Sequence, residues 1–128
     1  MRQITIISNN QTVDICPTDI YVAESGVIAV LEKARDMVHL GHHLLTHPFA
    51  GSVKPNENPY KSVVITKERF GVDYQSVQIV EGCLSVARRM IAERPYRDFP
   101  EKVIKDLQLI DKSLLDSGLE SLAMAGKL

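Results

Sequence analysis

The stretch that decides the fold is residues 3–10, which read QITIISNN. β-Branched and apolar residues of this kind favour an extended strand, and paired asparagines favour a turn. The chain has 128 residues, enough for one domain with a substantial apolar core. The stretch therefore predicts an interior strand from Gln3 to Ser8 that begins a domain spanning residues 1–128.

Three further segments have strand character. Ile20–Val22 offers a short second strand, and His43–Thr46 a short third one that Pro48 cuts off. Residues 62–66 read SVVIT, with apolar residues in consecutive positions. Consecutive apolar residues are typical of a strand that is covered on both faces, so Ser62–Thr66 is predicted as a fourth strand of this kind.

Three stretches carry the helical period of apolar residues. The first is predicted from a Ser25 cap to Leu40, where Gly41 ends it. The second is predicted from an Asp73 cap to Arg94, before Pro95. The third begins near Pro100 and is interrupted at Gly118. Its inner face is predicted to comprise Val103, Ile104, Leu107, Ile110 and Leu114.

Strands mixed with helices of this length indicate an α/β fold. We expect a single domain with a short, mainly parallel sheet of about four strands and three main helices packed on it. The connection between the third and fourth strands contains no helix. These two strands could therefore form an antiparallel pair around a wide loop instead.

The composition of the chain narrows the classes of binding partner that are expected. The chain carries 15 basic and 16 acidic residues, a net charge of −1, so neither nucleic acid nor an anionic membrane is an expected partner. The sequence shows no signal peptide and no apolar run long enough to span a membrane, which favours a cytoplasmic location. Cys16 and Cys83 are far apart and are expected to be free thiols.

The unusual chemistry lies in the loop of residues 42–62. All four histidines of the chain fall within nine residues around the start of this loop: His39, His42, His43 and His47. The rest of the loop contains Gly51 and several prolines, so no regular element runs through it. Loops of this length inside a compact domain are usually functional or disordered. A binding loop is favoured, with a purely structural loop and a disordered one left as alternatives.

In an open parallel sheet, ligands bind beyond the carboxyl ends of the strands, and several polar residues of this chain are expected at that edge. Backbone N–H groups, a helix start and lysines there favour an anion. We expect the segment from Thr46 to Ser62 to form one wall of the principal pocket. The predicted ligand-binding residues are Asn9, Asn10, His43, Thr46, His47, Gly51, Ser52, Lys54, Asn56, Glu57, Tyr60 and Lys61.

Metal binding and catalysis receive less support. The histidines lack the closed spacing of a structural zinc site, so no metal is predicted and a chelator should leave the melting temperature unchanged. No Gly-x-Ser-x-Gly elbow, phosphate loop or dinucleotide turn is present. A small enzyme that uses His47 with a nearby hydroxyl or carboxylate remains the alternative. No cofactor is indicated.

Residues 41–62 read GHHLLTHPFAGSVKPNENPYKS, and this run resembles the signature of the GrdX family. Asn9-Asn10 and Arg35-Asp36 are also similar to that family. The resemblance covers the first half closely and the second half only through its helical pattern. It implies an accessory protein encoded beside the glycine, sarcosine and betaine reductases of amino-acid-fermenting bacteria. It implies no catalytic residue or cofactor. The expected partners are a small anionic metabolite or a reductase component.

The C-terminal region carries apolar residues without an evident partner in the domain. They indicate a two-fold homodimer formed through the third helix or the tail. These residues are Leu109, Leu115, Leu119, Leu122 and Met124.

Overall fold

The computed structural model describes residues 2–51 and 53–128. Within them the chain forms three strands, β1 (Ile4–Ser8), β2 (Ile20–Tyr21) and β3 (Ser62–Thr66), in the order β2-β1-β3. β2 runs parallel to β1, whereas β3 runs antiparallel to it. The fold is α/β as expected, but the prediction of about four mainly parallel strands is wrong, because the sheet is mixed and has three.

The expected third strand, His43–Thr46, is missing for a reason visible in its hydrogen bonds. Residues 43–46 run beside β3, but only Leu44 forms a β-bridge, with Ile65. The Thr46 hydroxyl accepts from the Val64 amide at 3.0 Å, and the Thr66 hydroxyl accepts from the His43 amide at 2.9 Å. Threonine hydroxyls thus take the place of backbone partners, and a regular ladder cannot form.

Three helices complete the described chain: α1 (Val27–His39), α2 (Tyr74–Glu93) and α3 (Glu101–Met124). The predicted cap of α2 is confirmed, because the Asp73 side chain accepts from the Ser76 amide. The predicted Ser25 cap of α1 is wrong. Gly26 occupies that position, and the Tyr96 hydroxyl accepts from the Val27 amide at 3.3 Å in place of a serine.

α3 runs through Gly118 without a break, so the expected interruption is wrong. A Cβ on Gly118 would lie 3.3 Å from Cγ2 of Thr46. The missing side chain therefore allows the loop to approach the helix closely, and packing outweighs the weak helix preference of glycine.

Both faces of the sheet are covered by helices. On one face, Ile4, Ile6 and Val64 pack with Leu115 and Leu122 of α3. On the other face the apolar side chains of β1 and β3 pack with α1 and α2; this cluster includes Ile7, Val63, Ile65, Val30, Ala34, Val38 and Val80. The expectation that residues 62–66 form a strand covered on both faces is confirmed, because Val63, Val64 and Ile65 are all buried.

The buried face of α3 only partly matches the prediction. Ile104, Leu107 and Leu114 are half-buried, but Val103 and Ile110 are exposed, and the fully buried residues are Gln108, Asp111, Leu115 and Leu122. The helix is rotated so that two polar side chains reach the interior. Leu115 and Leu122, which were expected to lack a partner, therefore belong to the core, while Leu109 and Met124 are exposed.

A chain of hydrogen bonds joins the end of β1 to these polar residues. Nδ2 of Asn10 donates to the Gln108 carbonyl at 2.9 Å and to Oδ2 of Asp111 at 3.0 Å. Ser62 Oγ donates to the same Asp111 oxygen at 2.7 Å. The Ser8 hydroxyl lies 2.7 Å from Ser62 Oγ and must donate to it, because the single Ser62 proton is already used. The network pins α3 to the sheet.

We expect Asn10→Ala to lower the free energy of unfolding by about 2–3 kcal/mol, because Asn10 is fully buried and its loss leaves buried partners unsatisfied. Urea unfolding measures the change. The matched control is Gln11→Ala, at the exposed neighbouring position, which should change stability by no more than about 0.5 kcal/mol. Equal effects of the two substitutions would contradict the structural role of the network.

Candidate functional site

The loop of residues 42–62 is fastened to the end of β1 by Asn9. Oδ1 of Asn9 accepts from the Lys61 amide at 2.8 Å, and its Nδ2 donates to the Pro59 carbonyl at 2.9 Å. The same Nδ2 donates to the Gly26 carbonyl at the start of α1, at 3.1 Å. One buried amide thus brings together the loop, the end of β1 and the start of α1.

Other contacts hold the loop against the three helices. Tyr96, which caps α1, also donates its hydroxyl to the Pro55 carbonyl at 2.6 Å. Nδ2 of Asn56 donates to the Arg94 carbonyl at 3.2 Å, beyond the end of α2, and Nδ2 of Asn58 donates to Leu107 of α3 at 3.0 Å. Phe49 packs against the α1–α2 core. The described loop residues are therefore built into the fold.

Between this loop and α3 lies a cleft of about 440 Å³, called here the loop–α3 cleft. Thr46, His47 and Gly51 line its loop wall, and Leu114 and Gly118 line its helix wall. Three polar residues, called here the cleft floor, also line it: Lys61, Ser62 and Asp111, of which Lys61 is 6% and Asp111 3% exposed. Apolar walls with a few buried polar groups are typical of small-molecule sites.

Lys61 is the most unusual group in this cleft. Among the described residues its ammonium has no hydrogen-bond partner and no carboxylate within 4.0 Å. The nearest compensation is the Phe49 ring, whose centroid lies 5.7 Å from Nζ. A cation–π contact of this length stabilises the charge only in part.

Burial has a direct electrostatic consequence for this lysine. Desolvation lowers the pKa of Lys61 from its ordinary value of 10.5, because the charged form has lost water. The negative charge of Asp111, and Cys83 beside it, oppose this effect without cancelling it. Burial in turn raises the pKa of the Cys83 thiol, and Lys61 counteracts that rise. Lys61 is thus a cation that the surrounding protein under-compensates.

The four histidines diverge rather than cluster. His39 lies 3.5 Å from Glu81, and Nδ1 of the buried His42 lies 2.7 Å from the Thr66 carbonyl. Nε2 of His43 lies 3.2 Å from the Gly71 carbonyl, and Nδ1 of His47 accepts from the Phe49 amide at 3.1 Å. Within residues 2–51 and 53–128, no three His, Cys, Asp or Glu side chains are grouped as metal ligands.

The twelve predicted site residues fall into separate places. Thr46, His47, Gly51 and Lys61 line the loop–α3 cleft. Lys54, Asn56 and Glu57 line a separate shallow cleft with the end of α2, and Asn9 and Asn10 are satisfied by protein groups behind the site. Tyr60 is half-buried with its amide bonded to Asn58, and Ser52 lies outside the described residues. The binding role of each stays a prediction.

A larger cleft, of about 610 Å³, lies on the other side of Leu45. Arg2, His43, Phe70 and Lys127 line it, and Leu45 and Lys127 border both clefts. Arg2 is already paired with Asp19 at 3.2 Å. The described part of the Thr46–Ser62 segment therefore borders the smaller of the two, and only this one contains a buried cation without a hydrogen-bond partner among the described residues.

Asp111, Ser8 and Gln108 were missed by sequence reasoning. The signal was present: Gln108, Asp111, Leu115 and Leu122 recur at helical spacing and share one face. Counting only apolar residues selects the neighbouring stripe, because polar groups at buried positions look like breaks in the pattern.

Comparison with protein families identifies the chain. The family model described as GrdX-like protein matches residues 5–120. The chain belongs to the GrdX-like protein family. The match extends from β1 into α3 and so includes every polar residue of the loop–α3 cleft floor.

Further comparisons of this GrdX-like chain add no relative: no curated protein matches it, and no solved structure does. As for membranes, none of the helices in the described parts of the chain combines the length and apolar character that a membrane span requires.

A substitution at Gly51 tests how closely the loop of residues 42–62 is packed on α3. Its φ is +88°, and an added Cβ would lie 2.5 Å from Cδ2 of Leu114. We expect Gly51→Ala to cost about 1–3 kcal/mol of stability through overpacking, in addition to backbone strain. Urea unfolding measures this cost.

The matched control is Gly71→Ala, since Gly71 has a φ of +85° but nothing within 4 Å of an added Cβ. It should show the strain alone. In a protein that already carries Leu114→Ala, Gly51→Ala should cost no more stability than Gly71→Ala does. If Gly51→Ala and Gly71→Ala cost the same, the loop does not press on α3.

The lowered pKa of Lys61 predicts how the stability of the protein changes with pH. Because its pKa is lowered in the folded chain, the unfolded chain binds more protons as the pH approaches 10.5, and stability rises with pH in that window. We therefore expect Lys61→Met to be more stable than the parent near pH 7, with a gap that narrows toward pH 10.5. Urea unfolding at several pH values tests this.

Two controls isolate the lysine in that experiment. Cys83 titrates in the same range, so both proteins carry Cys83→Ala. Lys54→Met at an exposed position should leave the pH dependence unchanged. A gap between Lys61→Met and its parent that is constant from pH 7 to pH 10 would show that burial does not penalise the Lys61 charge.

Proposed function

We propose that this protein is an accessory protein of the glycine reductase kind that binds a small anionic metabolite in the loop–α3 cleft. Lys61 carries the proposal. It is a cation, 6% exposed, that lines a cleft and has no hydrogen-bond partner among the described residues. Anion binding is the chemistry that this arrangement performs best.

A bound anion would relieve the electrostatic penalty of burying the Lys61 charge. A buried charge without a partner costs several kcal/mol relative to water, and this penalty is relieved when an opposite charge binds. A carboxylate or phosphate oxygen at Nζ of Lys61 would form a charge-assisted hydrogen bond in a partly desolvated place. The net charge of the chain is only −1, so recognition depends on this local group rather than on a general field.

The shape of the site favours a metabolite over a reductase component. Lys61 lines a concave space of about 440 Å³, which a small molecule enters more easily than the surface of a folded partner does. The exposed outer residues of the loop, Lys54 and Glu57, carry opposite charges and form no apolar anchor.

The alternative, a small enzyme that uses His47 as acid or base, lacks a supporting contact. Nδ1 of His47 is occupied by the Phe49 amide. Among the described residues no hydroxyl or carboxylate is hydrogen-bonded to its ring, so the pairing that a general base needs is absent there. The homodimer through α3 stays a prediction, for which the exposed apolar residues on that helix are Val103, Leu109, Ile110 and Met124.

The test is a binding experiment with propionate and inorganic phosphate as probes. An anion at one hundred times its Kd adds about 2.7 kcal/mol to stability, which raises the melting temperature by several degrees. We expect such a rise with at least one of the two probes, and calorimetry should give saturable binding. Lys61→Met should abolish both signals.

Lys54→Met is the matched control, because it removes an exposed lysine of the same loop. It should keep the binding. Equal binding by the parent and Lys61→Met, or no binding of either anion, would contradict the proposed function.

A further inference from the structure

The loop–α3 cleft contains a second charge that the protein leaves incompletely used. Asp111 lines the cleft and is 3% exposed. Its Oδ2 accepts from both Asn10 and Ser62. Among the described residues, Oδ1 of Asp111 accepts no hydrogen bond. One carboxylate oxygen is thus fixed by the protein, and the other is available as an acceptor.

Asp111 and Lys61 do not neutralise each other by contact. Their charged atoms are more than 4.0 Å apart, since they form no ion pair. They are nevertheless near enough for the carboxylate to raise the pKa of the lysine against the effect of burial. The cleft floor therefore holds two separated, opposite charges, each at least nine-tenths buried.

The two residues of the pair are held by different contacts. Asp111 is pinned to the end of β1 by Asn10 and to the start of β3 by Ser62. The backbone of Lys61 is fixed through its amide, which donates to Asn9, and its ammonium lies over the Phe49 ring rather than on the carboxylate.

This arrangement discriminates between ligand charges. A simple anion is attracted by Lys61 but repelled by Asp111, and a simple cation experiences the reverse. A molecule that carries both charges satisfies both groups at once, and each charge-assisted hydrogen bond gains from the low local dielectric.

We propose that the loop–α3 cleft binds a small zwitterion of the amino-acid type, with its carboxylate at Lys61 and its ammonium at Asp111. This rests on the proposed function and specifies its ligand. Asp111 acts here as the acceptor that distinguishes an amino acid from the corresponding plain carboxylate.

Calorimetry on the full chain tests the proposal with probes of similar size: propionate, lactate, alanine and ethylamine. Propionate has only the negative charge, lactate adds a hydroxyl, alanine adds an ammonium, and ethylamine has only the positive charge. We expect alanine to bind at least about tenfold more tightly than propionate or lactate, since the added bond is charge-assisted. Ethylamine should bind most weakly.

Asp111→Asn is the decisive variant. The amide oxygen can still accept from Asn10 and Ser62, but the negative charge is gone. The affinity for alanine should fall to that for propionate, while the affinity for propionate stays the same or rises. Asp116→Asn, at an exposed position on the same helix, should leave both affinities unchanged.

The outcomes separate this inference from the proposed function. Equal affinities for propionate and alanine in the parent overturn the zwitterion and leave the anion site standing. Lactate equal to alanine overturns it in favour of a hydroxy acid. Alanine binding that survives Lys61→Met, or no binding of propionate, phosphate or alanine, overturns both. Should Asp111→Asn fail to fold, the series on the parent decides alone.

Discussion

The antiparallel pairing of β1 with β3 determines what the rest of this molecule can do. Its register sets Ser8, the last residue of β1, beside Ser62, the first residue of β3. The long loop that precedes β3 therefore ends where β1 ends, next to Asn9 and Asn10. One strand direction thus brings the loop, the paired asparagines and α3 to a single edge of the sheet.

Asn9 and Asn10 show how that edge is stabilised. The two residues are adjacent in sequence but bind different parts of the chain. Asn9 binds the loop and the start of α1, and Asn10 binds α3. Each is buried, and each uses both its donor and its acceptor. Buried amides are tolerated only when they are satisfied in this way, so their hydrogen bonds specify where the loop and α3 lie relative to β1.

Sequence reasoning predicted much of this fold. β1, β3 and all three helices follow from local patterns of apolar residues. The loop was singled out by its length and composition. The meeting of the loop with Asn9 was also expected, but on the assumption of a parallel sheet. It occurs because β3 is antiparallel, so that the segment before the strand, rather than after it, reaches the edge of β1.

The remaining errors have a common physical cause. The rotation of α3 depends on Gln108 and Asp111, whose burial is favourable only because Asn10 and Ser62 are present to bond with them. The loss of the predicted third strand, His43–Thr46, depends on threonine hydroxyls that replace backbone partners. Both are long-range pairings of polar groups, which local patterns of apolar residues do not encode. Lys61 was predicted as a site residue, whereas Asp111, which lines the same cleft, was not.

The hydrogen bonds between Asn10 and α3 also constrain the order of assembly. Asn10 and Asp111 are separated by 101 positions in the chain, so their contact closes a loop of nearly the whole sequence. Loop closure on this scale is entropically costly and slow. During synthesis, β1 leaves the ribosome long before the helix that covers Ile4 and Ile6 exists. The loop–α3 cleft is thus among the last features to form, and a nascent chain without α3 has an uncovered apolar sheet face of the kind that chaperones recognise.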